Sequence, residues 1–206
     1  MLRRFQARQF ARPSGWIGRR LIAPWLDRIS APMRRLVLER LDPRPGERVL
    51  DLGFGGGGLL ADLLRRGCVV VGVDVSQAAV ARARRRFPAA ELCLASAERL
   101  PLNDASVDKA ASLNSLYFWP DAGEAMGELA RVIRPGGRLV LAFEPPEELR
   151  KWPGHRFGFR LYAEAEVRAM LAAAGFDEIG SAWGTGRKPD RFLCLTARRP
   201  GGEAEP

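Results

Sequence analysis

Between Glu47 and Gly67, in the run ERVLDLGFGGGGLLADLLRRG, a strand, a glycine loop and a helix follow one another, and this unit limits what the chain can fold into. A short apolar segment, Val49-Leu50, reaches Asp51 and breaks into Gly53, Gly55, Gly56, Gly57 and Gly58 before Leu59, Leu60, Leu63 and Leu64 recur at helical spacing. Glycines there remove Cβ atoms, so the backbone can take positive φ and lie against a ligand. The unpaired N–H groups of the helix's first turn face the same place.

The unit repeats downstream. Val69 to Asp74 is a continuous apolar run ending in a carboxylate, the pattern of a parallel strand buried on both faces. Gly67 closes the helix before it, and Ser76 predicts the N-cap of a helix over 77–87 whose outer Arg82, Arg84, Arg85 and Arg86 read as solvated surface. Strands are expected at 91–94, 110–113 and 138–143. A helix over 121–133 is closed by Arg134-Pro135-Gly136-Gly137, and 199–206 is expected to be a flexible tail. After an irregular connection at 144–161, a helix over 162–174 leads to two last strands at 176–181 and 192–197, joined by a loop at 184–190. Alternating strands and helices of this kind make an α/β sheet.

Two chemistries use such a loop. Gly53, Gly55 and Gly58 satisfy G-x-G-x-x-G, in which a dinucleotide pyrophosphate rests on the helix N-terminus. Read as D-x-G-x-G-x-G, Asp51, Gly53, Gly55 and Gly57 resemble motif I of the class I S-adenosylmethionine-dependent methyltransferases. That cofactor carries no phosphate, so a carboxylate at Asp51 suits the cation of its amino-acid moiety. Asp74 stands where a carboxylate accepts both ribose hydroxyls of an adenosine, a role common to both classes.

The stretch Ser96-Ala97-Glu98-Arg99-Leu100-Pro101-Leu102, then Ser106-Val107-Asp108, and the turn Arg134-Pro135-Gly136-Gly137 are similar to small-molecule methyltransferases of the ubiquinone and menaquinone C-methyltransferase type. The resemblance covers roughly residues 45 to 197. It implies a Rossmann-like seven-stranded sheet of order 3-2-1-4-5-7-6, strand 7 antiparallel, with helices on both faces and an N-terminal helical extension. It implies S-adenosylmethionine as cofactor, held by Asp51, Gly53, Phe54, Gly55, Gly57, Asp74, Val75, Ser96, Ala97, Glu98 and Asn114. Ser96 departs from the family, which usually has an Asp there for the adenine amino group; a serine hydroxyl accepts one such bond without charge assistance.

The acceptor is read from the carboxyl ends of strands 4 and 5, where ligands bind in open α/β sheets. Asn114, Tyr117 and Trp119 end strand 4, and the 144–161 connection holds the chain's single histidine, His155, with Trp152, Phe157 and Phe159. Methyl transfer needs little beyond in-line approach, and if the acceptor is an enol, phenol or ring carbon, His155 takes its proton with Tyr117 or Tyr162 orienting it.

The chain divides into a basic helical extension or lid at 1–44, a cofactor-binding methyltransferase domain at 45–198 and the tail. The extension carries eleven Arg against Asp27, Glu39 and Asp42, a net +8 of the chain's +9, so the catalytic body is nearly neutral and no nucleic-acid partner is expected. Its Trp16, Ile17, Leu21, Ile22, Trp25 and Leu26 fit a cover for the sheet, a lid, or a peripheral contact with an anionic membrane. Cys68, Cys93 and Cys194 are scattered and imply neither disulfide nor metal, and the absence of a signal or spanning run points to a cytoplasmic protein, with peripheral membrane contact allowed. The expected function is methylation of carbon or oxygen on a small apolar or membrane-associated acceptor, quinone-, lipid- or polyketide-like. An NAD(P)-dependent oxidoreductase and a cofactor-binding interaction module without catalysis are the alternatives; oligomeric state is not readable.

Overall fold

A computed structural model describes residues 29–156, 158–186 and 191–201. The helical segments expected before Ile29, with Trp16, Ile17, Leu21, Ile22, Trp25 and Leu26, lie outside the described residues.

In chain order the elements are α1 (Ala31–Leu41), β1 (Arg48–Leu52), α2 (Gly58–Arg65), β2 (Val69–Asp74), α3 (Gln77–Arg86), β3 (Glu91–Leu94) and β4 (Val107–Leu113). A 3₁₀ turn (Leu116–Phe118) leads to α4 (Ala122–Val132), β5 (Ile133–Phe143), α5 (Pro146–Leu149), a second 3₁₀ turn (Pro153–Arg156), α6 (Glu164–Ala173), β6 (Asp177–Thr185) and β7 (Arg191–Arg198). The strands form one sheet of order β3-β2-β1-β4-β5-β7-β6. β1 to β5 run parallel, and β7 is antiparallel to both β5 and β6. This is the expected order, with the expected antiparallel seventh strand.

Strand alternation divides the core in two. Leu50 and Leu52 of β1 face α4 and α6, whose Met126, Leu129, Val167 and Leu171 are buried; Val49 faces the other layer, built from α1, α2 and α3. Helix α1 contributes Met33, Val37, Leu38 and Leu41 to that second core. The part of the extension that is described is therefore a layer of the fold. Ser30 does not cap α1 with its side chain. The helix ends where Lys109 Nζ donates to Asp42 O (2.5 Å) and Arg138 donates to Arg40 O (2.8 Å), ladder partners where the regular pairing of β4 and β5 begins, level with Val49 near the start of β1. Helix α1 thus runs antiparallel to the parallel strands, and its Ser30–Arg34 end lies at their carboxyl edge.

Three sequence expectations are corrected. Arg134 to Gly137 do not separate helix from strand: β5 begins at Ile133, which pairs with Val107, and the ladder shifts register before Lys109↔Arg138. Gly136 takes φ +76°, and a Cβ on Gly137 would meet Asp108 O at 2.6 Å, so this is a bulge that only glycines fit. The tail is not free from its start, because Gly136 N–H donates to Arg199 O (2.8 Å) and Arg199 N–H to Gly137 O (2.9 Å). β6 runs on to Thr185 through Gly184, since that glycine is where the Phe192 ring lies: a Cβ would fall 2.1 Å from it. The 144–161 connection also contains α5 and the second 3₁₀ turn. Cys68 and Cys194 are buried and all three cysteines are free thiols. Among the described residues no helix is long and apolar enough to cross a membrane, and no group of metal-ligating side chains is present.

If α1 is a core layer, Leu41→Ala, at a fully buried position, lowers unfolding free energy in urea by about 2–5 kcal/mol, whereas exposed Arg35→Ala stays within about 0.5 kcal/mol.

Candidate functional site

The carboxyl ends of β1, β2 and β4 meet under the glycine loop. Three of its glycines take positive φ for different reasons. A Cβ on Gly53 would strike Ser115 Oγ at 2.3 Å, and one on Gly57, the N-cap of α2, would strike the Phe87 ring at 2.6 Å. Both are packing demands. Gly55, at φ +48°, has nothing nearer than Gly53 O at 3.9 Å, so its side of the loop is open to a ligand.

The open peptide is held from both directions. Gly55 N–H donates to Asp74 Oδ2 (2.8 Å), and the other Asp74 oxygen accepts from Ser76 N–H (2.7 Å). From α3, Arg82 donates to Gly55 O (3.0 Å) and Arg86 to Gly56 O (3.5 Å). The arginines read as solvated surface are thus in part structural: Arg82 and Arg86 grip the loop, and Arg84 donates to Leu92 O (3.0 Å). Their i, i+4 spacing was the available signal, since it puts both on one helix face.

Asp51 is 2% exposed, and its Oδ2 is buried without a hydrogen-bond partner. Burial pushes its carboxyl up to about 8; the neighbouring Asp74 charge adds to this, while the Leu60 backbone and the Arg34 guanidinium pull the other way. Beyond these two carboxylates the edge is apolar. Val75 is 49% and Leu94 51% exposed, large values for such side chains, and Leu94 is the ladder partner of Asp74. Leu94 was not among the sequence candidates; an apolar residue at the exposed end of an edge strand was the cue. Ser96 is half-buried nearby in sequence and Ala97 is in the core. Glu98 accepts from Asp121 N–H (3.2 Å), so this carboxylate helps to fix the start of α4.

Asn114 takes φ +52° at the end of β4. Its Oδ1 accepts from the Tyr117 hydroxyl (3.2 Å), which in turn accepts from Glu144 N–H. Tyr117 is 4% exposed, and burial, with the Glu144 charge, raises its phenol well above the ordinary value. Tyr117 is therefore a neutral strut between the ends of β4 and β5. Trp119 is likewise core, its indole N–H donating to Ser115 Oγ (2.8 Å). Tyr162 is buried with no hydrogen-bond partner for its hydroxyl, under Arg160 at 5.1 Å from the ring centre. His155 stays half-buried in the second 3₁₀ turn, its Nδ1 2.6 Å from Trp152 O. Because a carbonyl only accepts, Nδ1 carries the hydrogen, and Nε2 of the neutral ring keeps its lone pair. Around it, Phe159 gathers Phe118 (4.6 Å between ring centres), Trp152 (5.3 Å) and Tyr117 (5.6 Å).

An antiparallel strand set between β5 and β6 is the mark of the class I S-adenosylmethionine-dependent methyltransferases, and it sets aside the dinucleotide reading of the loop. The residues present fit S-adenosylmethionine: an unpartnered carboxylate oxygen for the amino-acid cation, an open glycine face, and an exposed apolar edge beside Asp74 for a base.

Comparison with known proteins agrees. The family described as "Methyltransferase domain" matches residues 50–141. A demethylmenaquinone methyltransferase of Beutenbergia cavernae is 44% identical over 109 residues, 53% of this chain and 45% of that protein. Bacillus subtilis "uncharacterized methyltransferase YdaC" is 28% identical over 173 residues, 82% of this chain and 92% of that protein. A geranyl diphosphate methyltransferase solved with its diphosphate and sinefungin shares the fold, with a TM-score of 0.71 at 20% identity over 84% of this chain and 78% of that one. The chain spans less than half the length of several curated relatives it matches.

The Asp51 carboxyl generates a pH signature. Its folded value, about 8, lies above the ordinary 3.8, so its contribution to stability is complete below that ordinary value and is lost as pH rises through about 8. Unliganded protein loses up to about 1.4 kcal/mol per pH unit across this window from that group. Asp51→Asn flattens the slope, melts higher than the parent at pH 8, and binds the cofactor about 10- to 100-fold more weakly; thermal unfolding at pH 5 and pH 8 with calorimetric binding checks all three.

Proposed function

We propose that the chain transfers the methyl group of S-adenosylmethionine to carbon or oxygen of a small apolar acceptor, of quinone, lipid or polyketide type. The observation that carries this reading is the aromatic group of Phe118, Phe159 and Trp152 at the carboxyl end of the sheet, beside the cofactor edge. Aromatic walls suit a flat or greasy acceptor and keep water from the reacting atoms. The resemblance to a demethylmenaquinone methyltransferase supports the quinone-like member of the class.

Bound at the glycine loop, the cofactor supplies an electrophilic sulfonium methyl. The chain's part is to fix direction and exclude solvent, because displacement at a methyl group needs collinear approach more than it needs acid or base. The Arg82–Gly55–Asp74 bonds hold the loop, and the Tyr117 strut holds the ends of β4 and β5 apart at a constant distance. Where the acceptor is an enol or phenol, Nε2 of His155 takes its proton. The basic 1–44 segment brings the site to an anionic membrane surface when the acceptor resides there.

The test is transfer of label from methyl-labelled cofactor into a host extract separated into organic and aqueous phases. Label in the organic phase, absent with Asp51→Asn, supports the apolar acceptor. Aqueous label overturns that class and its membrane docking, and binding without turnover leaves an interaction module. Once an acceptor is in hand, His155→Ala lowers kcat by about 100-fold or more while cofactor affinity stays unchanged; an unchanged kcat removes His155 from the chemistry.

A further inference from the structure

Residues 95–106 join β3 to β4 without a helix or strand of their own. Ser96, Ala97 and Glu98 at the start of this segment are the residues that the family resemblance puts at the cofactor's adenine, and they follow the exposed Leu94 beside Asp74. Ser96 brings no carboxylate to the purine amino group, so recognition of the base falls to its hydroxyl and to peptide groups, whose worth depends on where the backbone stands. The segment's own backbone does little to fix that position. Arg99 N–H reaches Ser96 O only at 3.4 Å, and Pro101 has no N–H to give.

Helix α4 fixes it instead. At the amino end of the helix, Asp121 N–H donates to Glu98 (3.2 Å). Further along, Glu128 and Arg131 share a face at i, i+3 spacing and close on the Leu100-Pro101-Leu102 backbone. Glu128 Oε2 accepts from Leu100 N–H (2.7 Å). Arg131 donates to Leu100 O (3.1 Å), to Leu102 O (2.7 Å) and to Asp104 Oδ1 (2.7 Å), and it reaches both oxygens of Glu128 (2.7 and 2.8 Å). These bonds use all five donors of the guanidinium, so the carbonyls on either side of Pro101 are held against one rigid plane. The bond from Arg131 also holds the Glu128 carboxyl below its ordinary value, which keeps the pair charged at neutral pH. Leu100 and Leu102 are meanwhile buried in the same core as Met126 and Leu129 of α4. The bond to Asp104, an exposed side chain, adds little.

We propose that Glu128 and Arg131 are positioning residues for the cofactor's adenine: by fixing the Leu100–Leu102 backbone they set where the Ser96–Glu98 segment meets the purine edge, and with it the preference for adenine over other bases. Neither residue touches the ligand in this account. Ser96 and the peptides after it make the contact, and the Glu128–Arg131 pair keeps them from drifting, so that hydrogen bonds lacking charge assistance still discriminate. The proposal rests on S-adenosylmethionine as cofactor and on Ser96–Glu98 as its adenine subsite.

Calorimetric titration with S-adenosylhomocysteine and with its inosine analogue reads the contact, because the two differ only where a 6-oxo group replaces the 6-amino group. The parent protein is expected to favour the adenosine ligand by about 10- to 100-fold. Arg131→Gln lowers that ratio by about 10-fold, mainly by weakening the adenosine ligand. Arg131→Lys keeps a cation beside Glu128 but cannot span both carbonyls, and it retains part of the ratio. Should Arg131→Gln fail to fold, Arg131→Lys and Glu128→Gln carry the same comparison. A variant that melts lower yet keeps the parent's ratio has lost only a structural staple, and that result overturns the proposal. A parent protein that binds both ligands equally overturns it too, while leaving the cofactor assignment in place; one that binds neither overturns both.

Discussion

A carboxylate taken out of water at the end of the central strand is the constraint around which this site is arranged. β1 has buried neighbours on both sides, and Asp51 continues it without reaching solvent. Burying a charge there is costly unless it is paired, and a second carboxylate, Asp74, ends the adjacent strand. The two are treated differently. Asp74 has each oxygen in a backbone hydrogen bond, while Asp51 keeps one oxygen with no partner. The protein gains nothing in the unliganded state from that orphan oxygen. A cation seated against it restores the ionised form, so the cost in the empty protein is recovered on binding, and the affinity for a cationic ligand is built from strain of an electrostatic kind.

The glycine loop follows the same division between what the fold needs and what the ligand needs. Gly53 and Gly57 are glycines because Ser115 and Phe87 occupy the space where side chains would stand. Gly55 is a glycine with open space beside it. Only the last leaves its surface for a ligand, yet the peptides on either side of it are held by charged groups, Asp74 on its N–H and Arg82 on its carbonyl. A loop tied in this way does not have to be ordered when the cofactor arrives, which lowers the entropy lost on binding.

Most strands were legible because their signals are local and redundant: apolar runs ending in Asp51 and Asp74, glycine loops, and helical spacing between; the sheet order came from the family resemblance. The errors have one origin. Glycine at 136, 137 and 184 reads as punctuation in a sequence, but Gly136 takes φ +76° in the bulge, while Gly137 and Gly184 make room for Asp108 O and the Phe192 ring, which belong to neighbouring strands. The motif pointed to Asp51 and Asp74. The arginines were not singled out, since a sequence cannot distinguish Arg82, which bonds to the loop, from exposed Arg85 on the same helix; both look like charge on a helix surface. Tyr117 was read from its position after β4, and the bonds of its hydroxyl to Asn114 and the Glu144 backbone are not legible there, because Glu144 lies far along the chain.

Helix α1 brings these strands of argument together. Its apolar side completes one of the two cores through Val37 and Leu41, and its amino end stands at the cofactor edge. The net positive charge of the first 44 residues is therefore not one property. Arg34 is turned inward to Asp62, whereas Arg35 is exposed on the other side of the same turn. A helix that must pack its length against β4, β5 and β7 has little freedom to shift, so the guanidinium it carries to Asp51 is positioned by the hydrophobic core and not by the ligand. The core and this edge of the sheet are in this respect a single structure, because the helix that completes one core also carries the guanidinium that acts on Asp51.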